Sequence, residues 1–244
     1  MGELIAVLSG KGGTGKTTVC AGVASALAMA GESVLCIDCD VGLRNLDIAL
    51  GISDLQALSF VEVYGGEHSL DAATRHPDYP SLAFLTAPVS CRAEEIDEAA
   101  FLELLQTARK QFKYIFLDAP AGIERGFDLA AKYAERVILV TGSDPASIRD
   151  AQRAGELLEL MGKTNVRLIV NRVNKKMVSA MGITVDDIMD QAGLPLVGLV
   201  PEDPDVVLSA AFRKPLLTYS KKGAAKACKR IAKRIEGYSV LIDI

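Results

Sequence analysis

Seven short, nearly unbroken apolar runs divide the chain: LIAVLS (4–9), SVLCID (33–38), LAFLTA (82–87), YIFLD (114–118), RVILVT (136–141), VRLIVN (166–171) and PLVGLV (195–200). Runs of this length, rich in Ile, Val, Leu and Phe and lacking polar alternation, predict strands covered on both faces. Between them, apolar residues recur at helical spacing near 17–30, 94–111, 145–161, 184–192 and 219–236. Ser143-Asp144-Pro145 marks one helix start, an N-cap residue followed by a proline whose fixed φ suits the first turn. The alternation predicts an α/β fold: a single doubly wound domain over 1–236 with a mainly parallel central sheet and right-handed crossovers. A short tail, 237–244, follows it. The stretch from 40 to 80 is less regular, and long excursions of that kind often carry switch or partner-binding elements.

Composition narrows the classes. Half of the 244 residues are apolar and the formal net charge is −4, which argues against a broad nucleic-acid-binding face. No apolar run reaches the roughly 18 residues of a membrane span. The N-terminus lacks the basic start of a signal peptide, so a cytoplasmic protein is expected. Cys20, Cys36, Cys39, Cys91 and Cys228 are too scattered for a disulfide framework and are expected as reduced thiols. Cys36 and Cys39 form a C-x-x-C, but residues three apart on a strand point to opposite faces, which favours core packing over a metal or redox pair. His68 and His76 have no cysteine pattern nearby, so no zinc site is expected.

Gly10-x₄-Gly15-Lys16-Thr17 matches the phosphate-binding loop G-x-x-x-x-G-K-[ST], between a predicted strand and a predicted helix. Glycines let the backbone turn its N–H groups towards phosphate oxygens at the positive end of a helix. Lys16 offers a point charge to the β- and γ-phosphates, and the Thr17 hydroxyl can ligate Mg²⁺. The cradle for ATP or ADP is therefore expected to run through Lys11, Gly12, Gly13, Thr14, Gly15, Lys16, Thr17 and Thr18. Asp118 ends the apolar strand YIFLD, where an acidic partner for the Mg²⁺ is expected, directly or through water. Asp38 and Asp40 close the second strand, and either could orient an attacking water.

KGGTGKTT resembles the deviant Walker A motif of the MinD/ParA branch of P-loop ATPases. DCDVGLRNLD (38–47), DAPAGIE (118–124) and SIRD (147–150) are similar to elements of its MinD group, as are VNRV (170–173) and VPEDPDV (200–206). The resemblance runs in order from about residue 3 to 236. It implies an ATPase that dimerises on ATP and positions the division septum. Lys11 would reach the nucleotide of a partner protomer, and Asp40 would lie near the attacking water, completing a catalytic set with Lys16 and Asp118. Asn171, Arg172, Pro201, Glu202 and Asp203 would surround the adenine. Asn45 and Asp150 would face a MinC-type inhibitor and a MinE-type regulator, the plainer alternatives being a loop-capping amide and a solvated helix carboxylate. A lysine held between two nucleotides gains from burial only when an anion is present, which would couple nucleotide state to association.

The C-terminus departs from the family pattern. KKGAAKACKRIAKRI (221–235) has seven basic residues and a stripe of Ala224, Cys228, Ile231 and Ile235, read as the helix that closes the domain rather than one inserting in a bilayer. GYSVLIDI (237–244) is short, with an acidic end and no basic face, so a membrane-targeting helix is not evident, although an anionic membrane surface stays a candidate partner. A ParA-type DNA partition ATPase or another cellular-positioning ATPase is the alternative function, for which those lysines could supply a basic DNA-binding patch.

Overall fold

The computed structural model describes residues 1–41, 43–89 and 93–242. Gly42 of the DCDVGLRNLD stretch, Cys91 and the last two tail residues lie outside the described residues. The strands are β1 (Glu3–Leu8), β2 (Val34–Asp38), β3 (Thr74–Arg75), β4 (Leu82–Leu85), β5 (Tyr114–Asp118), β6 (Arg136–Thr141), β7 (Val166–Val173) and β8 (Leu196–Pro201). The helices are α1 (Lys16–Met29), α2 (Leu46–Leu50), α3 (Phe60–Tyr64), α4 (Glu98–Gln111), α5 (Arg125–Tyr133), α6 (Pro145–Leu160), α7 (Lys175–Ala180), α8 (Val185–Ala192), α9 (Pro204–Ala211), α10 (Leu216–Tyr219) and α11 (Gly223–Ile235).

The strands form one sheet in the order β3-β4-β2-β5-β1-β6-β7-β8, parallel except for the edge pair β3–β4. All seven predicted strands are present. β3, at two residues and with an exposed arginine, is too short to leave an alternation signal. Side chains leave each strand alternately. Ile5, Val7 and Cys36 enter the layer beneath α1 and α11, while Leu4, Ala6, Leu8 and Cys39 enter the opposite layer with Phe101 and Phe127. The two cysteines of the C-x-x-C therefore sit on opposite faces, and Cys20, Cys36, Cys39 and Cys228 are all buried free thiols.

Two predicted helices are interrupted. Residues 93–95 form a 3-10 turn, and α4 starts only at Glu98, because Asp97 accepts from the N–H groups of Ala99 and Ala100 at 2.9 and 3.1 Å. An aspartate is better placed capping a helix than inside one. The helix predicted from 219 begins only at Gly223, after α10 has ended at Tyr219, since the Asp203 carboxylate accepts from the Ala224 N–H at 2.8 Å and sets a fresh helix start. The apolar stripe of α11 faces inward as expected: Ala224, Cys228, Ile231 and Ile235 are all under 5% exposed.

Close packing of α11 on α1 depends on Gly22, where a Cβ would come within 2.6 Å of the Cys228 sulfur. Alanine is the better helix former by about 1 kcal/mol, but overpacking a filled core costs about 1–3 kcal/mol, so the steric effect should prevail. Gly22→Ala is thus expected to lower the thermal denaturation midpoint, and Cys228→Ala in the same chain to recover much of it. A midpoint raised by Gly22→Ala alone would contradict this packing.

Candidate functional site

Strand register assembles the site. β5 pairs with both β1 and β2, setting Asp118 level with Val7 on one side and Asp38 on the other. The carboxyl ends of three central strands thus meet where the chain leaves β1 for the glycine loop, the position at which parallel sheets bind ligands.

Neighbouring elements hold that loop in shape. Asn171 donates from Nδ2 to the Thr14 carbonyl at 2.7 Å, and Arg172 from Nη1 to the Gly13 carbonyl at 3.3 Å. Gly15 has φ +80°, and a Cβ there would lie 2.2 Å from Asn171 Nδ2, so the turn and the close approach both require glycine. Arg172 itself has φ +55°, within a slip in the β7–β8 register between Val170 and Val173. A left-handed arginine costs on the order of 1–3 kcal/mol, and here it accompanies two successive side chains that both bond the loop.

The two lysines of the loop occupy different environments. Lys16 is 5% exposed, with Nζ 2.7 Å from Asp118 Oδ1 and 3.3 Å from Thr17 Oγ1. Lys11 remains 36% exposed and reaches Asp144 Oδ1 at 3.3 Å. Asp144 also caps α6, accepting from the Ser147 N–H at 3.0 Å. Removing one partner of a buried pair typically costs about 3–5 kcal/mol, whereas an exposed pair contributes about 0–1 kcal/mol. Lys16 is therefore fixed, and Lys11 is easily diverted to a stronger anion.

Acid groups crowd beneath the loop. Burial pushes the Asp118 carboxyl up, and the Lys16 ammonium opposes that shift. Asp40, half-buried, is also pushed up by burial and held back by Lys16. Asp38 is 1% exposed; burial first, and Asp118 second, push it up to about 7. Its oxygens accept from the Asp40 N–H at 2.9 Å and the Leu46 N–H at 3.2 Å, so one carboxylate ties down both ends of the loop after β2.

A cavity of about 640 Å³ opens beside Gly13, Gly15 and Thr18 and is lined by Asn171, Arg172, Pro201, Glu202, Asp203 and Val206. A second, of about 340 Å³, runs along Lys11, Gly12, Thr14 and Asp144. These volumes suit a nucleotide-sized ligand. Asp203 does more than line the cavity. Its Oδ1 accepts from the Asp205 N–H at 3.0 Å, so it starts α9 as well as α11. Asn45 is exposed at the N-cap position of α2, yet its side chain makes no capping hydrogen bond. Asp150 is half-buried, its backbone carbonyl packed against Gly10.

The Asp144 partner of Lys11 and the Val206 wall were missed in the sequence. Asp144 was legible as a helix cap, but its pairing with Lys11 spans 133 residues and left no local signal. Among the described residues no cluster of three or more His, Cys, Asp or Glu side chains forms a metal cage. Mg²⁺ beside a phosphate needs only one or two protein oxygens, which Thr17 and Asp118 can supply.

Residues 5–216 match the CobQ/CobB/MinD/ParA nucleotide binding domain. The chain belongs to this family. Within it, the chain is 37% identical to the septum site-determining protein MinD of Synechocystis over 243 residues, 98% of this chain and 91% of that protein. It is 35% identical to the MinD of Thermotoga maritima, covering 100% of this chain and 91% of the relative. The fold superposes on MinD in the MinC:MinD complex of Aquifex aeolicus with TM-score 0.91 at 35% identity, covering 99% and 98% of the two chains. MinD of Pyrococcus horikoshii complexed with Mg-ADP gives TM-score 0.84 at 27% identity, covering 97% and 96%. The likeness to these MinD proteins thus reaches the whole sheet.

The raised Asp38 pKa fixes the sign of one pH effect. An ordinary aspartate in the unfolded chain loses its proton near 3.8, while the folded one holds it to about 7. Folding stability without nucleotide should therefore fall as pH rises between these values. From about pH 5 to 7 the loss attributable to Asp38 is on the order of 2–3 kcal/mol. Urea unfolding of Asp38→Asn should lack that component; parallel pH profiles for variant and wild type would refute it.

Proposed function

We propose that this chain is a MinD-type switch ATPase that hydrolyses ATP to ADP and phosphate, dimerises on ATP and helps to position the division septum. The contrast between the loop lysines carries the reading. Lys16 already has a buried counter-charge and lies where the phosphates of its own protomer would arrive. Lys11 has only a weak exposed contact with Asp144, so a partner protomer's nucleotide would outcompete it.

ATP or ADP would lie along the loop from Gly12 to Thr18, with its base in the cavity beside Asn171, Arg172 and the 201–203 loop. Bound Mg²⁺, held by Thr17 and Asp118, would supply charge neutralisation at the phosphates. The half-buried Asp40 would orient water, with Asp38 fixing its backbone. A MinC-type inhibitor would dock near Asn45, whose amide is exposed and not used for capping, and near Asp150. A MinE-type regulator would bind the same region and trigger hydrolysis. The dimer would work in the cytoplasm and peripherally on the inner face of the cell membrane. No helix among the described residues is long and apolar enough to cross a membrane.

Lys11→Ala should bind nucleotide with near wild-type affinity yet fail to dimerise with ATP, measured by light scattering after size separation. Asp144→Ala should still dimerise, because it removes only the competing contact. A dimer fraction unchanged in Lys11→Ala would sink the proposal.

A further inference from the structure

His76 is a buried titratable group that neither the nucleotide cavity nor the catalytic set uses. It follows β3 directly and is 1% exposed, its ring stacked on that of Tyr79 at 4.6 Å. Nε2 lies 2.9 Å from the carbonyl of Leu50, the last residue of α2, and Nδ1 accepts from the Asp78 N–H at 3.1 Å. An acceptor role at Nδ1 fixes the neutral tautomer with its proton on Nε2, so Nε2 donates to Leu50. The final carbonyls of a helix have no partner within it, and a buried one must find a bond elsewhere. Leu50 is fully buried, and His76 supplies that bond from 26 residues along the chain.

The other end of α2 belongs to the nucleotide site. Leu46, its first residue, donates its N–H to Asp38, which also accepts from the Asp40 N–H. A helix of five residues makes too few internal bonds to hold its own place. It is a short bar, fixed at one end to the carboxylate that ties down Asp40 and at the other to an imidazole. Beyond Leu50, Asp54 pairs with Arg213 in the open, where water screens the contact. The loop that carries His76 is itself anchored. The Tyr79 hydroxyl meets Thr218 Oγ1 of α10 at 2.7 Å, and Thr218 donates to Asp78 Oδ2 at 3.4 Å.

We propose that neutral His76 is a positioning residue for Asp40, acting through α2, and that its protonation in mild acid releases this hold. A proton on Nδ1 would set two N–H groups against each other and bury a cation, so its uptake requires the ring to leave the niche. Leu50 and Thr218 face the ring without charge, and the Tyr79 phenol, pushed up by burial, stays neutral. Among the described residues Asp78 is the one charged group that acts on the ring, and it is exposed. Burial outweighs both its pull and that of the Leu50 carbonyl, and lowers His76 from the ordinary 6.5. The open form therefore takes the proton more readily than the closed one. Opening is favoured as pH falls below 6.5, and the hold is full well above that value. This role rests on the proposed hydrolysis, in which Asp40 orients water.

The full chain has two histidines, so exposed His68 is the reference in an NMR titration of the imidazole carbons and nitrogens. His76 should titrate below His68 and show the nitrogen shifts of the Nε2–H tautomer. Hydrogen exchange at the Gly51 and Ile52 amides, whose bonds close the end of α2, reads the hold without nucleotide once corrected for the intrinsic effect of pH. If the closed niche takes no proton, the open fraction grows about tenfold per pH unit below 6.5, roughly 30-fold by pH 5. His76→Gln keeps a donor and cannot charge, so it should lack this rise. His76→Leu should exchange about fivefold faster or more at every pH. In ATPase assays at pH 7.5, His76→Leu should lower kcat several-fold with KM for ATP near wild type, and His76→Gln should restore kcat. Asp38 and Asp40 titrate alike in wild type and His76→Gln, so a loss in acid that only the wild type shows belongs to His76. Coincident exchange profiles for wild type and His76→Gln would overturn the proposal, as would wild-type kcat in His76→Leu. A wild type without ATPase activity would count against the proposed function instead, and the exchange profiles would still decide whether His76 holds α2.

Discussion

The buried contact between Lys16 and Asp118 is the constraint around which the site is built. An ammonium and a carboxylate that are both out of water must meet each other or a substitute of the right charge. Meeting requires that β1 and β5 be neighbours and that α1 begin where β1 runs out, which the parallel register provides. The surrounding acids then come under the same field: Asp38 and Asp40 lie close enough to Asp118 or Lys16 for their protonation to depend on which charge is present. An arriving phosphate therefore alters the balance of the whole cluster beneath the loop.

Solvent gives the two loop lysines different properties. Buried Lys16 is held strongly, while Lys11, at the surface, keeps a contact that water screens. The same distinction applies to the C-terminal helix, whose inner stripe is committed to packing and whose outer lysines are free to respond to the surroundings. In both places one short segment holds one part rigidly and leaves another available.

Much of this was legible in the sequence because the signals were local. Strands buried on both faces appear as unbroken apolar runs, and the phosphate loop appears because its chemistry prescribes residue types at fixed spacing. The faces of Cys36 and Cys39 follow from the period of a strand. What stayed hidden depended on partners far along the chain. The break between α10 and α11 is set by a carboxylate 21 residues upstream, and the mooring of the loop at Thr14 comes from Asn171, 157 residues away. Short helices such as α2 and α7 span too few turns to establish a period. Asn171 and Arg172 were read only as neighbours of the base, whereas both also donate hydrogen bonds to the backbone of the loop itself.

Asp203 links these regions. Its two carboxylate oxygens serve the first turns of two helices, one walling the nucleotide cavity and one closing the domain. The loop that would read the base is consequently not free to drift in evolution as surface loops usually do. Any change at this position is inherited at once by two distant surfaces of the molecule. A variant with altered base preference would have to arise through Pro201, Glu202 or the opposite wall of the cavity, leaving this aspartate in place.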